Sequence, residues 1–319
     1  MPAAADSFEA VVARTFAVPA AALSFATVAP ALDRHLREMQ ELVVGLENGC
    51  DRAFLAGHAS DRIGTAFAAG YTEALRALVP EPQFQLGAFA VTESGGGAPR
   101  AMQTTLRLAK GGSGTLHGEK TFVTLGALAE RIYVVAREGQ DAAGRNRLRL
   151  VRVRANLAGL RFAAGPALPI VPEVAHARLV LDSVQIAAED VLPGDAYDRY
   201  VKPFRTIEDV HVHAALLGHL LRLARHFALP EALVADLLGS FAGLRMLAFE
   251  PPLSPSTHLA LGGALRGFER VLEAHADAFG RIPEPVRGAL ERDLALRFVA
   301  AKAREKRLEV ALRALRGEN

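Results

Sequence analysis

Two periodicities alternate along the chain. Over residues 31–48, Leu32, Leu36, Met39, Leu42, Val43 and Leu46 recur at helical spacing while Asp33, Arg34, Arg37 and Glu38 take the other face, which predicts an amphipathic helix laid on a core. A second helical pattern runs over residues 62–79 and stops at Pro80, a residue that cannot continue a helix. Between residues 83 and 191 the pattern changes. Runs at 102–109, 132–136, 148–153 and 177–186 are β-branched and apolar, separated by Gly, Asp and Asn, and read as strands. Arg147, Arg149, Arg152 and Arg154 flank or alternate with apolar residues there, as on a sheet with one wet face. From Tyr197 onward Ala and Leu dominate, with helical runs at 204–228, 230–248, 257–278 and 284–315 and breaks at Pro230, at Pro251, Pro252 and Pro255, and at 280–285.

This pattern predicts an α+β multidomain chain: an N-terminal helical domain over residues 1–84, a middle antiparallel β domain over 85–192 and a C-terminal helical bundle over 193–319. Helices do not alternate with the strands, which argues against a doubly wound dinucleotide fold. The length of 319 residues suits two or three domains, and the 50% apolar content supplies a substantial core.

A formal net charge of +2 gives no global field to draw the chain to nucleic acid. Small-molecule chemistry or protein contact is the expectation. The lone cysteine, Cys50, excludes an internal disulfide and a multi-cysteine metal site, and reads as a small buried apolar residue. A basic-then-apolar leader and a membrane-length apolar run are both missing from the sequence, so a soluble, cytoplasmic protein is expected.

Two generic motifs carry little. Gly111-Gly112-Ser113-Gly114 lacks a following helix and a Gly-Lys-Ser/Thr ending, so it reads as a hairpin turn. Glu208 and His211 form a Glu-x-x-His pair, but the one other such pair, Glu173 with His176, falls in the β region, so no metal site is expected.

The informative stretch is residues 87–126, which holds Gly87-Ala88-Phe89-Ala90-Val91-Thr92-Glu93-Ser94-Gly95-Gly96-Gly97 and then Gly118-Glu119-Lys120-Thr121-Phe122-Val123-Thr124-Leu125-Gly126. In each motif an apolar strand carries a threonine to a glycine turn, delivering a hydroxyl and free backbone NH groups to a strand end. These motifs resemble the middle domain of acyl-CoA dehydrogenases, and Val134-Val135-Ala136-Arg137 and Leu181-Asp182-Ser183-Val184-Gln185-Ile186 follow in family order. The resemblance implies a shortened, diverged member of that flavoprotein family. It places FAD against Phe89, Thr92, Gly97, Phe122 and Thr124: Thr92 on the pyrimidine edge, Phe122 on the isoalloxazine face, Thr124 near N5. It further implies an acyl-CoA-like substrate, a homo-oligomer and an electron-transfer partner. For the oligomer, Leu290, Leu294, Phe298, Ala301, Leu308 and Leu312 form an apolar stripe that serves equally as core within the chain.

Departures from the family pattern accompany the matches. Ala98 and Pro99 stand where the family turn continues Ser-Asp, Leu125 stands for an asparagine, and the region 222–238 offers Arg225 and Phe227 without the accompanying glycine or glutamine. The C-terminal Glu-Gly-Thr that carries the base in many members has no counterpart. Glu208, ten residues before Gly218, matches the helix position used by a minority, followed by Asp209 in place of arginine. Two readings of Glu208 follow, a base for the substrate α-proton and a helix-start glutamate favoured by the dipole. At the level of the whole chain the alternatives are an FAD-dependent dehydrogenase and a catalytically degenerate family member kept as a subunit or scaffold.

Overall fold

A computed structural model describes residues 7–18 and 31–318. The parts of the expected N-terminal helical domain at residues 1–6 and 19–30 lie outside the described residues. The chain forms two compact units, Leu78–Arg205 and Met1–Ala77 with Thr206–Asn319. No helix among the described residues is long and apolar enough to cross a membrane.

Unit Leu78–Arg205 is built on an eight-stranded sheet. Its strands are β1 (Gly87–Ala90), β2 (Thr105–Leu108), β3 (Gly114–Thr124), β4 (Arg131–Gln140), β5 (Asn146–Arg154), β6 (Leu160–Ala164), β7 (His176–Ile186) and β8 (Val191–Leu192). The hydrogen-bonded order is β6-β7-β3-β2-β4-β5-β8, with β1 on β4. Pairing is antiparallel except where β1 and β2 each meet β4 in parallel. That parallel contact brings the end of β1, and with it the first motif, beside β4. Ile132, Val134, Val151, Val153, Leu179 and Leu181 pack into one core cluster. On β5 the arginines divide between the two faces, Arg147 and Arg149 on one and Arg152 and Arg154 on the other: Arg149 pairs with Glu138, and Arg152 with Glu81 and Asp190. The single wet face expected from the arginine alternation is therefore not formed, because Leu148 and Leu150 are buried on one side of the strand and Val151 and Val153 on the other.

In the other unit the helices are α1 (Phe8–Ala17), α2 (Leu32–Leu42), α3 (Gly49–Ala59), α4 (Ile63–Leu78), α5 (Lys202–His226), α6 (Glu231–Leu247), α7 (Pro255–Ala274), α8 (Ala276–Phe279), α9 (Val286–Asp293) and α10 (Ala301–Leu315). The helical segments from both ends of the chain thus share one body. The α3 helix escapes the periodicity reading because eight of its eleven residues are buried, leaving no polar face. It crosses α5 at the closest possible approach. A Cβ on Gly57 would stand 2.0 Å from the Ala215 carbonyl oxygen, and one on Gly218 2.1 Å from that of Phe54. Any side chain at either position would force the helices apart. Phe54, one turn before Gly57, stacks on Phe241 of α6 at 3.8 Å between ring centroids.

Arginines, one buried and one half-buried, close the helix ends. Arg222 donates to the carbonyls of His58 and Ser60 at 3.2 and 3.0 Å, and Arg225 to those of Thr15, Phe16 and Val18 at 3.0–3.3 Å. Both serve C-terminal carbonyls that lack an intrahelical partner, where a cation also meets the negative end of the dipole.

The single helical run expected over 284–315 is divided. After α9 the chain tightens into a 3-10 segment at Leu294–Phe298 before α10 begins. Side chains take over the carbonyls there: Arg297 donates to Leu294 at 2.8 Å, and Arg304 donates to Arg297. The run over 257–278 likewise breaks at His275, between α7 and α8.

Two buried imidazoles, one at the end of α3 and one within α5, tie this unit's stability to pH. Burial, reinforced by Arg225 donating to its Nε2 at 3.1 Å, pushes His58 down to about 3. Burial, with Arg222 beside it, pushes His219 down to about 4. The unfolded chain takes up these protons below its ordinary value of 6.5 and the folded chain does not. Stability is therefore complete above pH 6.5 and falls as the pH drops from there toward 4, by about 2 kcal/mol per imidazole at pH 5. Thermal unfolding should show a lower midpoint at pH 5 than at pH 7, and His219→Asn should flatten the slope. Equal midpoints for the parent chain would refute the assignment.

Candidate flavin site and catalytic carboxylate

The two glycine-ended motifs meet through a buried ion pair. Lys120 on β3 has its ammonium 2.7 Å from Glu93 Oε1 and 2.6 Å from the Val135 carbonyl, with the Val91 carbonyl at 3.3 Å and Met102 Sδ at 3.0 Å. The Glu93 carboxylate also accepts from the amides of Gln103 and Thr104 at 2.6 and 3.1 Å. Burial pushes Lys120 down to about 8, still protonated at neutral pH. Desolvation disfavours the Glu93 carboxylate, but the Lys120 charge and the amide donors outweigh it and hold its pKa below the ordinary value. Neither residue stood out from the sequence as a candidate, though each lies inside a motif.

Around this pair the residues expected to hold flavin come to one end of the sheet. Thr92 bridges Phe122, and its carbonyl accepts from the Thr121 amide at 2.9 Å. Among the described residues its hydroxyl has no hydrogen-bond partner. The turn closes between Glu93 and Gly96, so the left-handed position is Gly96, at φ +94°. Gly97 lies beside Thr92; a Cβ there would be 3.9 Å from the Thr92 hydroxyl oxygen. Phe89 is buried, its ring edge-on to Phe204 at 4.9 Å.

Phe122 and Thr124 are half-buried on β3 and both meet His176, which the sequence reading passed over. The register shift between Lys120 and Val123 is a bulge that frees Phe122 from regular pairing. Its ring stacks on the His176 imidazole at 4.1 Å. Thr124 sits directly opposite His176 across β3 and β7, its hydroxyl 3.3 Å from Nδ1. Burial lowers the His176 pKa, which favours the neutral ring. Beyond Thr124, Leu125 adopts the left-handed conformation at φ 58°, a strain of about 1–2 kcal/mol for this side chain.

The carboxylate Glu208 belongs to the other unit, as the seventh residue of α5, and is half-buried. That position is past the first turn, where the dipole acts most strongly. Asp209 beside it is buried and held by Arg304 at 3.0 Å and by Arg307, both on α10. The charge reversal at the position after Glu208 is thus answered by two guanidinium groups from far along the chain. Arg225, the remnant of the arginine motif, is committed to the carbonyls at the C-terminal end of α1. His211 is buried with Nδ1 on the Ile207 carbonyl at 2.7 Å, and no group of three His, Cys, Asp or Glu among the described residues could hold a metal ion.

Residues 88–184 match the family model for the acyl-CoA dehydrogenase middle domain. A search of curated proteins finds no match by sequence. Among solved structures, butyryl-CoA dehydrogenase from Megasphaera elsdenii superposes with a TM-score of 0.64 at 18% identity over 89% of each chain. A glutaryl-CoA dehydrogenase from Mycobacterium smegmatis in complex with FADH2 gives 0.66 at 16% identity, over 97% of this chain and 94% of the other. The prolyl acyl carrier protein oxidase AnaB gives 0.62 at 16%, over 83% and 82%. The β unit therefore matches the acyl-CoA dehydrogenase middle domain over residues 88–184. The chain as a whole has the acyl-CoA dehydrogenase fold, consistent with a diverged member of that family.

The residues present fit the ring portion of a flavin better than its pyrophosphate. A half-buried aromatic ring, a threonine hydroxyl without a partner among the described residues and a second threonine stand together at the strand end. Ala98 and Pro99 offer one NH and no hydroxyl where phosphate donors would stand.

The Glu93–Lys120 pair sets the geometry of this site, and its removal is testable. Lys120→Met keeps the packed stem but strands a buried carboxylate, which should destabilise the protein by about 3–5 kcal/mol. Adding Glu93→Gln to that variant should recover part of the loss. Chemical denaturation of the three proteins measures this, and an unchanged midpoint in Lys120→Met would contradict it.

Proposed function

We propose that this protein is an acyl-CoA dehydrogenase-like flavoprotein that desaturates an acyl thioester between Cα and Cβ. The observation carrying this reading is the cluster of Thr92, Phe122 and Thr124 inside the stretch that matches the middle-domain model. When bound, FAD would supply the hydride acceptor at N5. Thr92 would donate to the pyrimidine edge, where negative charge collects on reduction; Phe122 would pack on the ring, with Phe89 backing the site; Thr124 would orient the N5 side, and Gly97 would carry the turn toward the phosphates. Glu208 takes the α-proton as the β-hydride departs, so two bonds to hydrogen break and one carbon–carbon double bond forms. A separate electron-transfer partner would be needed to accept the two electrons taken from the substrate.

A second reading, a family member retained as a scaffold without turnover, is favoured by His176, which already occupies a face of Phe122 and the hydroxyl of Thr124. The two readings part on simple measurements. Under the first, purified protein incubated with FAD gains flavin absorbance, and acyl-CoA bleaches it anaerobically. Glu208→Gln should then retain the flavin while bleaching slows by at least ~10²-fold. Full bleaching rates in that variant would place the base elsewhere, and a protein that takes up no flavin would favour the scaffold.

The assembly proposed with the first reading is a homo-oligomer. Of the apolar stripe named for it, Leu290 is buried within the chain and Leu308 packs near Gly262, whereas Phe298 and Leu312 are exposed. Leu315, one turn after Leu312 on α10, is exposed as well, which makes that end of the stripe the better candidate for the contact. Sedimentation should give a mass above the 34.0 kDa of one chain; a monomer at micromolar concentration would refute the oligomer.

A further inference from the structure

A second site lies in the helical unit, away from Glu208. His219 follows Glu208 by eleven residues on α5, about 16 Å along the helix axis. It lines a cavity of about 400 Å3 together with Asp61, Arg62, Glu284 and Arg292. That volume is the size of a small-molecule site. The lining combines two carboxylates, two guanidinium groups and an imidazole that burial keeps neutral at physiological pH. Glu284 is itself paired with Arg287 at 3.0 Å and Arg292 with Asp293, so the formal charge around the cavity balances, with both signs present.

The guanidinium groups are oriented before any ligand arrives. Asp61 grips Arg62 at Nε and Nη2 at 2.9 and 2.6 Å, and Asp293, fully buried, grips Arg292 at 2.7 Å through both nitrogens. His219 is 2% exposed and spends Nδ1 on the Ser60 carbonyl at 3.0 Å. That hydrogen bond fixes the tautomer, since a carbonyl only accepts, and makes Nε2 a lone-pair acceptor. Nε2 has no hydrogen-bond partner among the described residues. Because His219 lines the cavity, this acceptor is open to a donor from whatever fills it. Ile63, Pro285, Val286, Ala289 and Leu290 supply an apolar wall.

We propose that this cavity binds a free α-amino acid with an apolar side chain. The carboxylate goes to Arg62 and Arg292. The ammonium goes to Asp61 and Glu284 and donates to His219 Nε2, while the side chain rests on the apolar wall. A dianion would face two carboxylates and a dication two guanidinium groups, so each simpler charge type leaves half the lining opposed. An uncharged apolar ligand leaves the imidazole acceptor unmet. This site stands whether or not the flavin reading above is right.

Calorimetric titration of the full chain with L-leucine tests the proposal against two truncated analogues, 4-methylpentanoate without the amine and 3-methylbutylamine without the carboxylate. Leucine should bind saturably, and each analogue at least ~10-fold more weakly, the cost of losing charge-assisted hydrogen bonds. Glu284→Gln, at an exposed residue, should weaken leucine binding by a similar factor without moving the melting temperature. Ala289→Trp should abolish binding by filling the space. Leucine, valine, methionine and phenylalanine all failing to bind at roughly 10 mM, where even a weak site would register, would overturn the proposal. So would analogues that bind as well as leucine, or undiminished binding in Ala289→Trp.

Discussion

The β unit depends on one buried ion pair. Glu93 closes the turn after the first motif and Lys120 sits within the second, and neither could be buried alone without a cost of several kcal/mol. Together they are satisfied on nearly every side, by the amides of Gln103 and Thr104 and by the carbonyls of Val91 and Val135. One pair therefore ties the end of β1, the segment entering β2, the middle of β3 and the interior of β4. The positions of Thr92 and Phe122 follow from it, because the turn and the bulge that carry them flank the pair. The Glu and Lys of the two motifs are accordingly framework, and the site residues lie on their margins.

The helical unit uses a different device, arginines brought from distant parts of the chain. Arg222 and Arg225 terminate helices formed some 160–210 residues earlier, and Arg304 and Arg307 neutralise Asp209. Each guanidinium removes a local conflict, an orphan carbonyl or a buried carboxylate. Through Asp209, the helix that carries Glu208 is held to the C-terminal helix. A substitution that breaks the family pattern locally, aspartate for arginine, is thus compensated within the fold rather than left at the surface.

How much of this was legible follows from how local each cause is. The order helices, β domain, helices shows in the change of period from 3.6 to 2 and back, and Pro80, Pro230 and Pro255 mark real boundaries. The α3 helix was invisible because burial on all sides erases the amphipathic signal. The break at Leu294–Phe298 was invisible because its carbonyls are served by Arg297 and Arg304 side chains, which periodicity does not report. At the proposed site, Thr92, Phe122 and Thr124 could be singled out because strand, threonine and glycine turn lie next to one another in sequence. His176 could not, since its relation to Phe122 and Thr124 exists only through the pairing of β3 with β7, some fifty residues apart. The one available signal was a histidine opening a strand at the register position opposite a threonine.

On the proposed flavoprotein reading, His176 also bears on how tightly the cofactor would be held. A flavin ring seated on the face of Phe122 and the hydroxyl of Thr124 that His176 now meets would displace an imidazole stack, about 1 kcal/mol, and one hydrogen bond, about 1 kcal/mol. A phosphate donor lost at Ala98 and Pro99 adds about 2 kcal/mol where the bond would have been charge-assisted. These terms total about 4 kcal/mol, roughly a thousandfold in affinity. A site that would hold its cofactor at about 1 nM would then hold it at about 1 μM, weak enough to lose it on dilution and strong enough to fill when flavin is abundant. On the flavoprotein reading the substitutions therefore convert a resident cofactor into an exchangeable one. Strand register, bulge and ion pair are untouched by that change, because the energy that holds the fold and the energy that would hold the flavin reside in different side chains.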